Sequence, residues 1–224
     1  MPHRPRPERD RRVPLHMTTR VCSGLPSLRS GRAHRTLLDA LRAGADRFGF
    51  RLVEFSVQRD HFHLLIEVED QLALTRGAKG LGVRLARALN KLWGRKGQVF
   101  ADRYHVRALK SPLEVRRALA YVLHNARKHG DWGRGIDPFS SGPWFEGFER
   151  RAASQGAAAS TASAHAGAQS SSHARPQLLA ERLARWPRPP CRPRTWLLVV
   201  GWRRHGPIGV EERPGGAQRG ASID

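Results

Sequence analysis

Two histidines, His61 and His63, lie one residue apart in the segment HFHLLIEV at 61–68. Alternating residue types predict a β-strand there, and successive side chains of a strand point to opposite faces of its sheet. Phe62 and the apolar residues in step with it then face a core, while His61 and His63 share the other face. Two imidazoles so placed can bind one divalent metal ion. The alternative is that both are ordinary polar residues on a solvated sheet face.

A second pair with chemical potential, Tyr121 and Asn125, lies four residues apart in a predicted helix. Residues at this spacing lie on the same side of a helix. A tyrosine can attack phosphorus and form a covalent ester, but its ordinary pKa of about 10 means that it needs a metal or a nearby cation. Arg117, His124 and Lys128 have the helical spacing to supply part of this positive charge. The alternatives are a tyrosine at the edge of the core and a surface amide near the end of a helix.

The elements that must position these residues are predicted from the apolar pattern between 13 and 150. Predicted strands cover 13–21, 51–58, 61–68 and 98–109, and predicted helices cover 34–48, 71–93 and 112–129. Ser111, Pro112 and Glu114 form a capping box at the start of the last helix, and Gly130 ends it. The order βαββαβα, with short and half-polar strands, predicts an α+β, ferredoxin-like fold with an antiparallel sheet and helices on one face.

The composition restricts the class of protein. The chain has 40 Lys and Arg against 19 Asp and Glu, a net charge of +21, which implies a polyanionic partner, most often nucleic acid. No apolar run approaches the roughly 20 residues that span a bilayer, and the N-terminal segment lacks the apolar core of a signal peptide. The segment GLGVRL at 80–85 is not a nucleotide-binding loop, because no strand closely precedes it. We expect a cytoplasmic protein with no membrane partner and no nucleotide cofactor.

The chain divides into four predicted parts. Residues 1–12 are a basic, Pro/Arg-rich disordered arm, and 13–150 contain nearly all of the periodic pattern. Residues 151–177 form an Ala/Ser-rich linker with too few apolar side chains to bury a core. Residues 178–224 are a basic C-terminal segment, expected to be a flexible extension, and the sequence leaves open whether it contacts DNA.

Three separated segments resemble the single-tyrosine HUH transposases, most closely the REP-associated tyrosine transposases of the IS200-like group. The segments are QRDHFHLLIEVED at 58–70, VFADRYHVRAL at 99–109 and EVRRALAYVLHNARKHG at 114–130. They occur in the order of the family and within its expected elements, and the resemblance spans 13–150. It implies a catalytic domain with a ferredoxin-like fold, in a protein of the bacterial cytoplasm associated with the nucleoid.

The resemblance also implies roles for individual residues. His61, His63 and Asn125 are expected to bind a divalent metal, Mg²⁺ or Mn²⁺, and Tyr121 is expected to attack a DNA phosphate. The implied substrate is single-stranded or hairpin DNA, cut and rejoined through a 5′-phosphotyrosine intermediate. Five basic side chains are expected to contact the DNA: Arg59, Arg103, Arg107, Arg117 and Lys128.

Two positions depart from the family pattern. Asp60 stands where the family usually has Asn, and the extra carboxylate is expected to alter the metal preference or to pair with a neighbouring Arg. Ala126 stands where the branch often has Pro, and Ala simply continues the helix.

Two other functions stay open at this point. One is a catalytically inactive or domesticated nucleic-acid-binding protein of the same fold, and the other is a metal-dependent hydrolase that uses water in place of Tyr121. The sequence also leaves open the DNA target and the choice between a monomer and a homodimer.

Overall fold

The helices and strands follow the predicted chain order, with one short strand and one short C-terminal helix added. The computed structural model describes residues 13–128, 130–149 and 191–214, so the predicted arm at 1–12 and linker at 151–177 lie outside the described residues. The strands are β1 (Leu15–Arg20), β2 (Asp46–Arg47), β3 (Phe50–Val57), β4 (His61–Val68) and β5 (His105–Ala108). The helices are α1 (Gly31–Gly44), α2 (Gln71–Leu92), α3 (Pro112–Lys128) and α4 (Trp196–Val199), with 3-10 turns at Gly142–Trp144 and Gly201–His205.

The five strands form one sheet in the order β2-β3-β4-β1-β5, and every paired neighbour is antiparallel. Without the two-residue edge strand β2, this is the strand order of a ferredoxin-like fold. The predicted α+β fold with an antiparallel sheet is therefore confirmed. The last strand is shorter than the predicted 98–109, because Phe100 makes only an isolated bridge to Val21 before β5 begins at His105.

Helices cover both faces of the sheet, which corrects the expectation of helices on one face. Helices α1 and α2 pack on the face that carries Leu64 and Ile66, in the larger apolar cluster. Helix α3 packs on the opposite face, where Val53 and Leu65 belong to a second cluster. The physical reason is that the central strands carry buried apolar side chains on both faces, so each face needs a cover.

The C-terminal strap, defined as residues 191–214, packs against α3 and completes the second cluster. Its buried apolar side chains are Leu197, Leu198, Trp202 and Ile208. Arg116 of α3 donates two hydrogen bonds to Glu212, at 2.7 and 2.8 Å. The buried Glu67 carboxylate of β4 accepts hydrogen bonds from the backbone N–H groups of the strap. The predicted flexible extension is thus ordered over this range, because apolar side chains of the segment 195–202, TWLLVVGW, pack against α3.

Helix α2 is the longest helix in the described ranges, and it approaches the sheet closely. It begins after Asp70, whose side chain accepts a hydrogen bond from the Ala73 N–H at 2.6 Å. A Cβ atom at Gly77 would overlap the Phe50 side chain of β3, so glycine at this position permits the close packing. None of the helices in the described ranges is long and apolar enough to cross a membrane.

Candidate active site

Strand β4 places His61 and His63 on the face of the sheet that α3 covers. Their neighbours Phe62 and Leu64 lie in the core on the α1 and α2 side, whereas Leu65 lies in the cluster with α3. The two imidazole centroids are 4.9 Å apart and their planes are perpendicular. The strand therefore brings both rings to one place, as its alternation predicts.

The imidazole of His61 is held by the residue before it. The Nδ1 atom of His61 lies 2.7 Å from Oδ1 of Asp60, and Oδ2 of Asp60 lies 3.5 Å from Nε of Arg20. The hydrogen bond from His61 is the main cause that lowers the pKa of Asp60. Asp60 thus pairs with an Arg, as the sequence suggested, and with a candidate metal ligand as well.

The imidazole of His63 is held from the neighbouring strand β1. Its Nδ1 atom lies 3.2 Å from Nε2 of His16 and 3.1 Å from Oγ1 of Thr18. Burial, followed by the charge of Arg107, lowers the pKa of His16 to about 4. Sequence reasoning missed His16 because its place beside His63 depends on the register in which Thr18 pairs with His63. The only signal was that His16 and Thr18 alternate with the buried Leu15 and Met17.

The ring of Tyr121 lies beside these histidines. Its centroid is 5.1 Å from that of His63 and 5.8 Å from that of His16, and both contacts are edge-on. The Nζ atom of Lys128 lies over the tyrosine ring, 5.3 Å from its centroid. Burial raises the pKa of Tyr121, whereas the positive charge of Lys128 favours the phenolate. Helix α3 thus places the Tyr121 ring against the histidines of the sheet.

Asn125 lies one helical turn beyond Tyr121 and is completely buried. Among the described residues, neither its Oδ1 nor its Nδ2 has a hydrogen-bond partner. A buried amide without partners costs free energy, so it indicates a group that would satisfy it. Two imidazoles and an amide oxygen can together hold a divalent metal ion, and the two nitrogen ligands favour Mn²⁺ over Mg²⁺. Within the described ranges, no three His, Cys, Asp or Glu side chains gather as a metal site; the candidate set of His61, His63 and Asn125 has an amide as its third member.

Three of the five predicted DNA contacts surround Tyr121. Lys128 contacts the ring of Tyr121, and Arg117 lies four residues before Tyr121 on α3. Arg107 of β5 is the strand-pairing partner of His16 on β1. All three side chains are exposed. Together they make this face of the protein positively charged beside the candidate nucleophile.

The other two predicted DNA contacts lie apart from this group. Arg59 is in the turn before β4 and forms an ion pair with Asp131 at 2.6 Å. Arg103 borders a pocket on the α2 side of the sheet, together with Leu81 and Tyr104. The structure therefore does not bring Arg103 to the histidine face.

The comparison with protein-family models agrees with the resemblance found in the sequence. The family model described as "Transposase IS200 like" matches residues 21–125. A solved REP-associated tyrosine transposase bound to a REP hairpin is 17% identical, with a TM-score of 0.48 over 63% of this chain and 82% of that chain. A solved protein from Deinococcus radiodurans R1, described as a "putative transposase", is 20% identical, with a TM-score of 0.38 over 52% of this chain and 85% of that chain. The comparison with curated proteins found no match. Residues 21–125, which contain the two histidines of β4 and the Tyr121/Asn125 pair of α3, are thus similar to the IS200-like transposase family.

Proposed function

We propose that the protein is a DNA strand transferase that cuts and rejoins single-stranded or hairpin DNA through Tyr121. The observation that carries this proposal is the placement of the Tyr121 ring against His63, with the buried and unpartnered amide of Asn125 one turn away. Buried amides normally have hydrogen-bond partners. If Tyr121 only stabilised the fold, the amide of Asn125 beside it would be expected to have such partners too.

In the proposed reaction, Oη of Tyr121 attacks the scissile phosphate. The new bond joins tyrosine oxygen to phosphorus, and the bond between phosphorus and the 3′-oxygen breaks. The phenol loses its proton to solvent, and the departing strand takes up a proton as its 3′-hydroxyl. The DNA on the other side remains attached as a 5′-phosphotyrosine ester. Attack by another 3′-hydroxyl reverses these steps and releases Tyr121, so that no high-energy cofactor is consumed.

His61, His63 and Asn125 would hold the divalent metal, Mg²⁺ or Mn²⁺. Such an ion polarises the scissile phosphate and offsets the negative charge that develops there. The position of Asn125 is fixed by the packing of α3, because Leu119 and Val122 of this helix are buried against the sheet.

The exposed cations around Tyr121 would hold the DNA backbone. Arg117 and Lys128 on α3 and Arg107 on β5 are exposed and can each neutralise a phosphate. The catalytic domain that we propose for 13–150 would include the strap as a structural part, because the strap packs on α3.

The test uses the full chain with a pool of hairpin oligonucleotides in the presence of Mn²⁺ or Mg²⁺. DNA labelled at its 3′ end should become attached to the protein, whereas DNA labelled at its 5′ end should yield a free fragment with a 3′-hydroxyl. Tyr121→Phe should abolish the adduct. Tyr104→Phe is a matched control, since Tyr104 is the only other tyrosine of the chain.

The rival functions give different results in the same assay. A metal-dependent hydrolase would cleave without an adduct and would stay active after Tyr121→Phe. An inactive binding protein would retain the hairpin equally well after His61→Ala and His63→Ala, and would cleave nothing. An adduct that persists in Tyr121→Phe would reject the assignment of the nucleophile.

A further inference from the structure

The imidazoles of His61 and His63 are both engaged through the same ring atom. Nδ1 of His61 meets the Asp60 carboxylate at 2.7 Å, and Nδ1 of His63 meets His16 and Thr18 at 3.2 and 3.1 Å. The partners come from two different strand regions. Different residues therefore orient the two rings, but each ring is contacted at Nδ1.

We infer that Asp60 and His16 are positioning residues that hold His61 and His63 by Nδ1, so that Nε2 of each imidazole is the atom presented to a metal ion. This inference rests on the proposed function, because it concerns the same site. It assigns roles to two residues that do not themselves coordinate the ion.

The contact with Asp60 determines the tautomer of His61. A carboxylate only accepts hydrogen bonds, so Nδ1 of His61 must carry the proton. The lone pair of a neutral imidazole then resides on Nε2, which is the nitrogen able to coordinate a metal. A carboxylate that accepts a hydrogen bond from a ligating histidine also makes that histidine a more basic metal ligand.

Asp60 is itself fixed in place by the sheet. Its Oδ2 atom faces Arg20 at the end of β1, 3.5 Å away, and its carbonyl oxygen accepts a hydrogen bond from the Val21 N–H at 2.8 Å. The carboxylate therefore has a defined position from which to orient His61. The asparagine that usually occupies this position in the family would offer a neutral amide oxygen in place of a charged acceptor.

His16 connects the second imidazole to the nucleophile. Its ring lies 5.2 Å from His63 and 5.8 Å from Tyr121, measured between centroids. Strand β1 holds it there, because Thr18 pairs directly with His63 and His16 pairs with Arg107 of β5. Without the His16 imidazole, Nδ1 of His63 would keep the Thr18 contact but lose the contact with His16, and the Tyr121 ring would lose one of its histidine neighbours.

The experiment measures Mn²⁺ affinity of the full chain without DNA, by calorimetry and by the electron paramagnetic resonance of free Mn²⁺. Asp60→Ala and His16→Phe should each raise the Kd by about 10-fold or more, the effect usual for the partner of a ligating histidine. Asp60→Asn should have a smaller effect, because its amide oxygen can still accept the Nδ1 proton. Asp39→Ala, an exposed carboxylate on the opposite helix layer, is the matched control.

A second measurement does not depend on a bound metal. Long-range ¹⁵N–¹H spectra of the metal-free protein should show the His61 proton on Nδ1, and Asp60→Ala should convert His61 to a mixture of tautomers.

Unchanged tautomers, or Mn²⁺ affinities of Asp60→Ala and His16→Phe within twofold of the wild type, would overturn the inference. If those affinities stay unchanged while His61→Ala abolishes Mn²⁺ binding, the proposed function survives and only the positioning roles fail. If wild-type protein binds no Mn²⁺, the metal site itself is rejected together with the inference.

Discussion

The ring of His63 lies edge-on against the ring of Tyr121, with 5.1 Å between their centroids. One residue belongs to β4 and the other to α3, so the contact exists only because α3 packs on the histidine face of the sheet. The same packing buries Asn125 and leaves the lysine at the end of α3 over the tyrosine ring.

Lys128 should assist Tyr121 through its charge. With the Nζ atom 5.3 Å from the ring centroid, we expect Lys128→Gln to slow adduct formation by about 3- to 10-fold, the equivalent of about 1 kcal/mol. Lys128→Arg retains the charge and should recover most of the rate. The measurement is the single-turnover rate of adduct formation at saturating DNA. Equal rates for the wild type and Lys128→Gln would show that the lysine does not act on Tyr121.

Arg107 should contribute a phosphate contact. Arg107→Gln is expected to weaken binding of all hairpins alike and to reduce the slope of log affinity against log salt by about 1. Arg42→Gln on α1, which lies on the opposite face of the sheet, should leave both quantities unchanged. Fluorescence anisotropy at several salt concentrations measures them. A similar loss for both variants would indicate a general effect of net charge.

The strap should contribute strongly to stability through Trp202. Its side chain is 2% exposed, contacts Phe145 and donates a hydrogen bond to the Leu198 carbonyl. Trp202→Ala should lower the free energy of unfolding by about 3–5 kcal/mol. Trp196→Ala is the control, since Trp196 is 48% exposed, and it should cost about 1 kcal/mol or less. Urea unfolding followed by circular dichroism compares them, and equal losses would contradict the packing of the strap on α3.

Two glycines of α2 should respond oppositely to alanine. A Cβ atom at Gly77 overlaps Phe50, whereas one at Gly80 meets open space. Gly77→Ala should destabilise the protein by roughly 1–3 kcal/mol through overpacking, and Gly80→Ala should stabilise it by about 0.5–1 kcal/mol through helix propensity. Chemical unfolding of the two variants gives both values. A neutral Gly77→Ala would mean that α2 does not approach β3 this closely.

His34 should make stability depend on pH. Burial, followed by the charge of Arg29, lowers its pKa from 6.5 to about 4. Between these values the unfolded chain binds the proton and the folded protein does not, so stability falls as the pH drops through this range. The full difference corresponds to about 3 kcal/mol. His34→Gln should therefore lose less stability than the wild type between about pH 7 and about pH 4.5 in urea titrations. Parallel pH profiles would contradict this assignment.

Local sequence determined much of the fold and part of the candidate site. The alternation in 61–68 placed both histidines on one face of a strand whose observed bounds are the predicted ones. The helix carrying Tyr121 and Asn125 begins at Pro112 as expected, with the Ser111 hydroxyl accepting from the Glu114 N–H at 3.2 Å. These features depend on neighbours close in the chain, and such interactions are visible as periodicity and spacing.

Tertiary structure alone decided the features that depend on distant parts of the chain. His16 reaches His63 through the β1–β4 register, and Arg103 lies on the other side of the sheet from Tyr121. Helix α3 covers the face opposite to α1 and α2, and the strap packs on it. Spacing along the chain carries no information about strand register or about the sheet face that a helix covers, because both are chosen by burial of apolar surface between segments far apart in sequence.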